Sequence, residues 1–457
     1  MNFKMLIDKW ETEMIRDVLA LCRIPSVRDE NSRGCLAPFG QPVRRAFDEF
    51  ISIACRLGFS PVDFDGYALH VKDGEQTEDI AVLGHLDVVP ADDRDTWITP
   101  PFSPVISQGY LVGRGVNDDK GPLIAALYCM RILADCNYPR KRAIRLIAGG
   151  AEETTWECMD YYFARNPQPF AGFSPDGNFP IVNGEKGILT GHISRRIGNP
   201  DDVIELTCSN PAGFICHELK ITFNRSDEQL VKTAARAASI QEQEGRLVIT
   251  YTGVLALSRN PHCGTNALYS FAADFYNYEF ADSGLTLFIR YLTDFFAGDD
   301  TGRKAGLFSA DEQMGETTFC PTGLLLDHDR LFLYFDYRFP KSTNAESAKK
   351  QITARFGTGN QISFQKEVKP LYAAADSELI RSLQTAYRNV TGKEANLLTK
   401  GGMSYARALE HGVAFGPTFD GETPGSHFAN EKISIASLKK AMEIYCEALY
   451  LLTVDSG

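Results

Sequence analysis

The sequence predicts an α/β fold in two domains, and three observations carry that prediction. Short apolar strand-like runs alternate with helix-period segments in the first part of the chain, and helical character returns near its end. Between about residue 185 and residue 370 the texture changes to strand-rich sequence. The length, 457 residues, exceeds what one ordinary core accommodates. The simplest arrangement is a mixed β-sheet flanked by helices, built from 1–184 and 371–457, with an α+β domain inserted at 185–370.

Taken in order, Leu6, Trp10, Met14, Val18 and Cys22 recur every four residues and mark one face of a first helix. A second helix is expected from about Pro42 to Leu57. Ile80-Ala81-Val82-Leu83 is a buried strand that ends in Gly84 and delivers His85. A helix follows from Gly121 to about Cys136, its apolar residues being Leu123, Ile124, Ala126, Leu127, Met130 and Leu133. Ala143–Ile147 is another strand, and Gly149-Gly150 lead from it into Glu152-Glu153. The middle region supplies strands at Ile204–Thr207, Leu247–Tyr251 and Leu331–Phe335, with helices near Asp227–Gln243 and Asn266–Tyr276. The chain closes with helices at Ser377–Thr391 and Ile435–Leu452.

Composition narrows the functional classes. Hydrophobic residues at 44% and charged residues at 23% describe a soluble globular protein, and no apolar run reaches the roughly 18 residues needed to span a bilayer. A net charge of −12 argues against nucleic acid as a partner, because phosphate binding wants a basic surface. The eleven cysteines are odd in number and include no CxxC pair. Cys22, Cys55, Cys129 and Cys446 lie in apolar helical patterns and read as small hydrophobes. Reduced thiols, and an N-terminus leading into an amphipathic helix without a signal-type apolar core, point to the cytoplasm.

Five clusters carry chemistry: His85-Leu86-Asp87, Asp118-Asp119-Lys120-Gly121, Glu152-Glu153, Ser174-Pro175-Asp176 and Gly425-Ser426-His427. Imidazole and carboxylate donors suit zinc, and an adjacent free carboxylate can act as a base, so together they fit a two-metal hydrolase. On an extended backbone His85 and Asp87 point to the same side, which lets one bind a metal while the other holds its second ring nitrogen. Such a pair also occurs as a purely structural strand end. The glycines of Gly113-Arg114-Gly115 permit a tight turn with a carboxylate at its apex; an Asp there also serves as a helix N-cap. Neighbouring glutamates diverge, so one can bind a metal and the other face a water, or both can be a surface pair. Asp176 and His427 read equally well as loop residues.

In order and character these clusters resemble the motifs of the co-catalytic zinc aminoacylase and carboxypeptidase superfamily of metallopeptidases, nearest to its dipeptidase V (PepV)-like branch. The resemblance runs from Ile24-Pro25-Ser26-Val27-Arg28 through Phe173-Ser174-Pro175-Asp176 to Phe415 and the last helix. It implies a zinc-peptidase, phosphorylase/hydrolase-like catalytic domain with an inserted lid. It also implies two Zn2+ per chain, with Mn2+ or Co2+ as substitutes. Asp118 would bridge the ions, His85 and Asp176 would complete one site, and Glu153 and His427 the other. Glu152 would be the general base, Asp87 the partner of His85, and the Asp118–Asp119 peptide cis. Asn260-Pro261-His262-Cys263-Gly264 looks like the family's lid motif, which would make His262 the oxyanion donor; a surface loop histidine is the plainer reading. Arg338, in Phe335-Asp336-Tyr337-Arg338, is similar to a family arginine that grips the substrate carboxylate, and a strand-end salt bridge is its structural alternative. Gly401 and Gly402 would contact substrate.

One departure stands out. Where family members carry a substrate-holding Asn early in the lid, this chain has Gly213, and Asn210 is the candidate substitute. The resemblance implies dipeptide hydrolysis by a monomer, because the long insertion lets one chain supply every group. Deacylation or desuccinylation of N-acyl amino acids is the alternative activity, and metal binding without turnover the lesser one. The partners expected are small peptides, with neither nucleic acid nor membrane.

Overall fold

The computed structural model describes residues 3–91, 96–198, 203–225, 228–280 and 283–455. Met1, Asn2 and Asp227, the first residue of one expected helix, lie outside them. The chain forms two compact units: Met1–Asn183 with Tyr372–Leu398 and Met403–Gly457, and Gly184–Leu371 with Thr399–Gly402.

The first unit is built on a mixed sheet. Its strands lie in the order Val62–Phe64, Ala68–Asp73, Ala143–Gly149, Asp79–His85, Ala171–Ser174, Gly412–Ala414 and Ile181–Glu185. Asp79–His85 runs parallel to both of its neighbours, and Gly412–Ala414 runs parallel to Ala171–Ser174. The central strands are buried along their whole length, which is why they read as continuous apolar runs rather than alternating ones. Helix Lys120–Cys136 is buried on nearly every face, against helices Phe3–Cys22 and Ile435–Thr453. That accounts for its all-round apolar sequence. Of the four cysteines expected in apolar helical faces, Cys22, Cys129 and Cys446 are buried; Cys55 is exposed on helix Gln41–Arg56 and is no part of the core.

Parallel strands that share a direction also share a carboxyl edge. His85 pairs with Gly149 at that edge, and Ser174 ends its strand opposite Ala414. Chain leaving this edge carries Glu152, Glu153 and Asp176, the place where open α/β sheets gather functional groups. A small antiparallel sheet sets Lys432–Ser434 against Tyr110–Val112 and thereby brings Glu431 to Gly113.

The second unit contains two four-stranded antiparallel sheets. One has the order Thr318–Asp327, Arg330–Phe339, Gly187–Arg196, Gln361–Val368; the other Val203–Cys208, Glu218–Phe223, Arg246–Thr252, Ser239–Gln243. The helix expected near Asp227–Gln243 is a correction. Only Glu228–Thr233 is helical, and Ser239–Gln243 is a strand paired with Arg246–Thr252. Glu244 and Gly245 join the two strands with φ of 53° and 75°, the positive values of a two-residue turn matched to strand twist. No helix among the described residues is long and apolar enough to cross a membrane.

Candidate metal centre

The predicted metal residues converge within the first unit. His85 Nε2 lies 3.1 Å from Asp118 Oδ1, and His427 Nε2 lies 3.1 Å from Asp118 Oδ2. His427 Nε2 is also 3.1 Å from Glu153 Oε2. Three sets of potential ligand atoms each fall within 4.8 Å of one another: His85, Asp118 and Asp176; Asp118, Glu153 and His427; His85, Glu152 and Glu153. Asp118 belongs to two of these sets, its two oxygens face different imidazoles, and the peptide that follows it is cis, as the resemblance implied.

The electrostatics suit cations. Burial, reinforced by the charge of Asp118, pushes the Asp176 carboxyl up to about 7. Burial also raises Glu152 well above the carboxylate range, and Asp176 and Glu153 add to the effect. Burial opposes ionisation of Asp118 too, yet His427 and His85 hold it below its usual value. Asp118, then Glu153, raises His427 to about 11. A partly desolvated group of acids sharing protons with two imidazoles is what a divalent cation would stabilise, so the donor set fits the metal expected.

Several of these residues are held from behind. Asp87 was expected to orient the His85 ring, and the nearer oxygen to His85 Nδ1 is its backbone carbonyl, at 3.0 Å, with the carboxylate at 3.5 Å. The Asp87 carboxylate also accepts from the backbone N–H of Glu152 and Glu153 at 3.1 and 3.0 Å.

Sequence reasoning assigned no role to several supporting residues. Asp119 is fully buried and its Oδ2 accepts from His85 N–H at 3.2 Å. A β-carbon on Gly84 would meet that oxygen at 2.2 Å, so the glycine makes room for the carboxyl. Glu431, also fully buried, accepts from the N–H groups of Gly115, Asn117 and Asp118 and from Arg114 Nη1, at 2.9 to 3.1 Å. Ser26 Oγ donates to Leu86 O at 2.6 Å and so ties the early Ile24–Arg28 motif to the His85 segment. Lys120 Nζ donates to Leu21 O and Ile24 O, and burial lowers its pKa to about 8. Asp119 and Lys120 stand in the same cluster as Asp118, Ser26 lies in the opening motif, and Glu431 follows His427 by four positions, but no local pattern announces the roles these residues take.

The remaining candidates lie in the second unit. His262 is exposed on the short turn Pro261–Cys263. Arg338 is largely buried; its Nε and Nη2 both donate to Asp336 at 2.6 Å and its Nη1 to Gly401 O at 2.9 Å. Asn210 ties its own loop, donating to Phe214 O at 3.0 Å and Thr322 O at 3.2 Å. Gly213 has φ of +80°, a left-handed conformation that Gly adopts without cost and Asn tolerates better than most residues.

Comparison with known proteins gives a consistent result. The model of peptidase family M20/M25/M40 matches residues 81–451. The Bacillus subtilis (strain 168) protein named "Putative dipeptidase YtjP" is 32% identical over 473 residues, covering 99% of this chain and 100% of that one. A Staphylococcus aureus (strain USA300) protein, "Putative dipeptidase SAUSA300_1697", is 31% identical over the same shares. Among solved structures, human carnosine dipeptidase 1 aligns with a TM-score of 0.57 and 18% identity over 98% of both chains. Aminoacylhistidine dipeptidase from Vibrio alginolyticus gives 0.60 and 14%, covering 95% of this chain and 96% of that one.

Proposed function

Because the chain belongs to peptidase family M20/M25/M40 and is therefore a hydrolase, we propose that it cleaves dipeptides with two divalent cations, zinc by donor type. The observation that carries this reading is Asp118, whose two carboxylate oxygens each face a different imidazole at 3.1 Å. In the proposed assignment His85, Asp118 and Asp176 hold one cation, and Asp118, Glu153 and His427 the other. When bound, such a pair acidifies water and polarises the scissile carbonyl.

The chain's own residues do the rest. Glu152 takes the proton of the attacking water at its carboxylate and returns it to the leaving amine, a role suited to an acid whose affinity for protons is raised by burial. Asp87 fixes the backbone of Glu152 and Glu153, so the base and its neighbouring ligand keep one geometry. In the second unit, His262 is the proposed oxyanion donor; Arg338, Asn210, Gly401 and Gly402 are proposed to act in substrate recognition. The long inserted region, able to supply His262 from the same chain as the metal residues, is the basis for proposing a catalytic monomer, and a cytoplasmic location is part of the same reading.

The test is a panel of dipeptides and N-acyl or N-succinyl amino acids, run with metal content measured. Preference for a free amine supports the dipeptidase reading, and preference for an acylated nitrogen replaces it with deacylation. Glu152→Ala should keep its metal and lose turnover by several orders of magnitude. Unchanged turnover in that variant removes Glu152 from the mechanism.

A further inference from the structure

Two cysteines of the second unit face each other. Cys208 ends the strand Val203–Cys208, and Cys216 lies in the loop that leads from it into the strand Glu218–Phe223. Both thiols are free, and Cys216 Sγ donates to Cys208 Sγ at 2.8 Å. The main chain on either side fixes this approach. Cys208 pairs with Leu219 in the ladder, Ser209 N–H donates to Glu218 O at 3.0 Å, and Cys216 O accepts from Ala267 N–H at 2.8 Å. A small rotation of the two side chains is therefore enough to join the sulfurs, with no rearrangement of the backbone.

The two sulfurs differ in access. Cys216 is buried, and its Sγ also donates to Glu218 O at 3.2 Å. The hydrogen bond to Cys208 raises the Cys216 thiol above its ordinary value, and burial adds to the effect. Cys208 is half-buried, and its Sγ accepts from Leu324 N–H at 3.2 Å, a donor that favours a thiolate. Gly323 leaves the flank of that sulfur uncovered, since a β-carbon there would stand 4.0 Å from it. One thiol is reachable and the other is sheltered in contact with it, the pattern of an attacking and a resolving cysteine. Cys129 and Cys446 also interact, but both are sealed in the core of the first unit. Among the described residues, no third His, Cys, Asp or Glu completes a metal-ligand set with Cys208 and Cys216.

We propose that Cys208 and Cys216 form a reversible redox site, which a low-molecular-weight disulfide converts into an intramolecular disulfide that closes residues 208–216 into a covalent ring. The Cys208 thiolate attacks one sulfur of the small disulfide; a mixed disulfide forms, the original S–S bond breaks and one small thiolate leaves. Cys216 then attacks Cys208 Sγ and displaces the second small thiolate. The two protons of the protein thiols end on the two small thiols, so the protein loses two electrons and the small disulfide gains them. The ring encloses Asn210 and Gly213. Asn210 already ties the loop to Phe214 O and Thr322 O, so the bond retains the fold the loop has in the reduced protein. The site stands independently of the proposed peptide hydrolysis.

In the experiment the full chain, reduced and freed of reductant, is incubated with oxidised glutathione, quenched with acid and N-ethylmaleimide, and digested with chymotrypsin. Cleavage after Phe214 leaves the two cysteines on separate peptides, which only the new bond holds together. Mass spectrometry should find Cys208 and Cys216 linked, and dithiothreitol should return both as thiols. Cys216→Ser should instead retain glutathione on Cys208. Cys208→Ser should leave Cys216 reacting at least about tenfold more slowly than Cys208 of the wild type, because burial shields it. The exposed Cys35, Cys55 and Cys263 report that the oxidant has acted. Wild-type protein that keeps glutathione on Cys208 without resolving it overturns the proposal. So does protein in which those three exposed thiols react while Cys208 and Cys216 stay reduced. The wild-type peptide map decides the matter where either variant does not fold.

Discussion

Glu431 offers the sharpest test of how the centre is built, because it touches no proposed substrate and yet holds the loop that presents Asp118. Its Oε1 accepts from the N–H groups of Gly115, Asn117 and Asp118, and its Oε2 from Gly115 N–H and Arg114 Nη1. Glu431→Gln keeps the shape and one carbonyl oxygen for the backbone donors. Its amide NH2 group would then face the Arg114 guanidinium, donor against donor, with Arg114 only 1% exposed. Leaving one partner of a buried ion pair alone costs about 3–5 kcal/mol.

If that cost falls on the Gly113–Asp118 loop rather than on the whole fold, it appears as weakened metal binding. About 3 kcal/mol corresponds to roughly a hundredfold loss of affinity. The assay is zinc affinity by chelator competition, read beside a thermal melt. Arg114→Met should couple to Glu431→Gln, the double variant being less impaired than the summed single effects, because both buried charges are then gone. Zinc affinity within twofold of wild type together with an unchanged melt would refute the claim that Glu431 presents Asp118.

Other outcomes follow from the same geometry. Asp118→Asn should reduce occupancy at both sites, whereas His427→Ala should empty one, and elemental analysis of the purified proteins distinguishes them. Burial, aided by the charges of Arg145 and Lys72, lowers His70 to about 4. The unfolded chain therefore takes up a proton below about 6.5 that the folded chain refuses until about 4, so His70 makes stability fall as pH drops through that window. His70→Gln should flatten that part of a melting-temperature profile. Gly149→Ala would place a β-carbon 1.8 Å from the Tyr405 hydroxyl, an overpacking that should cost about 1–3 kcal/mol in denaturant titration, partly relieved by Tyr405→Phe.

What the sequence made legible follows from where each residue's role is determined. His85 could be placed because an uninterrupted apolar run and a glycine announce a buried strand and its end. The ion pair between Arg338 and Asp336 was also within reach, since alternate residues of a strand share a face. Ser239–Gln243 was misread because an exposed polar edge strand has no apolar alternation, and its turn is marked only by Glu244-Gly245. Glu431 was beyond local reading altogether. Its role exists only through Arg114 and the Asp118 loop, more than three hundred positions away in the chain.

These particulars share a pattern. Asp87 holds the backbone N–H of Glu152 and Glu153, Asp119 that of His85, and Glu431 that of Asp118. Each proposed ligand or base so held is fixed through its main chain by an acid that has no assigned place at a metal. Such an acid restricts the segment without competing for the ligand's side chain, which is how outer groups set inner geometry. The arrangement concentrates carboxylates, and burial raises the proton affinity of Asp119, Glu152, Glu153 and Asp176. Stability of this edge of the sheet is therefore tied to positive charge, supplied within the chain by Arg114 and the imidazoles and, in the proposed enzyme, by two cations. Asp119 together with Glu152, Glu153 and Asp176 gives the centre a set of buried carboxylates whose charge the proposed cations would offset.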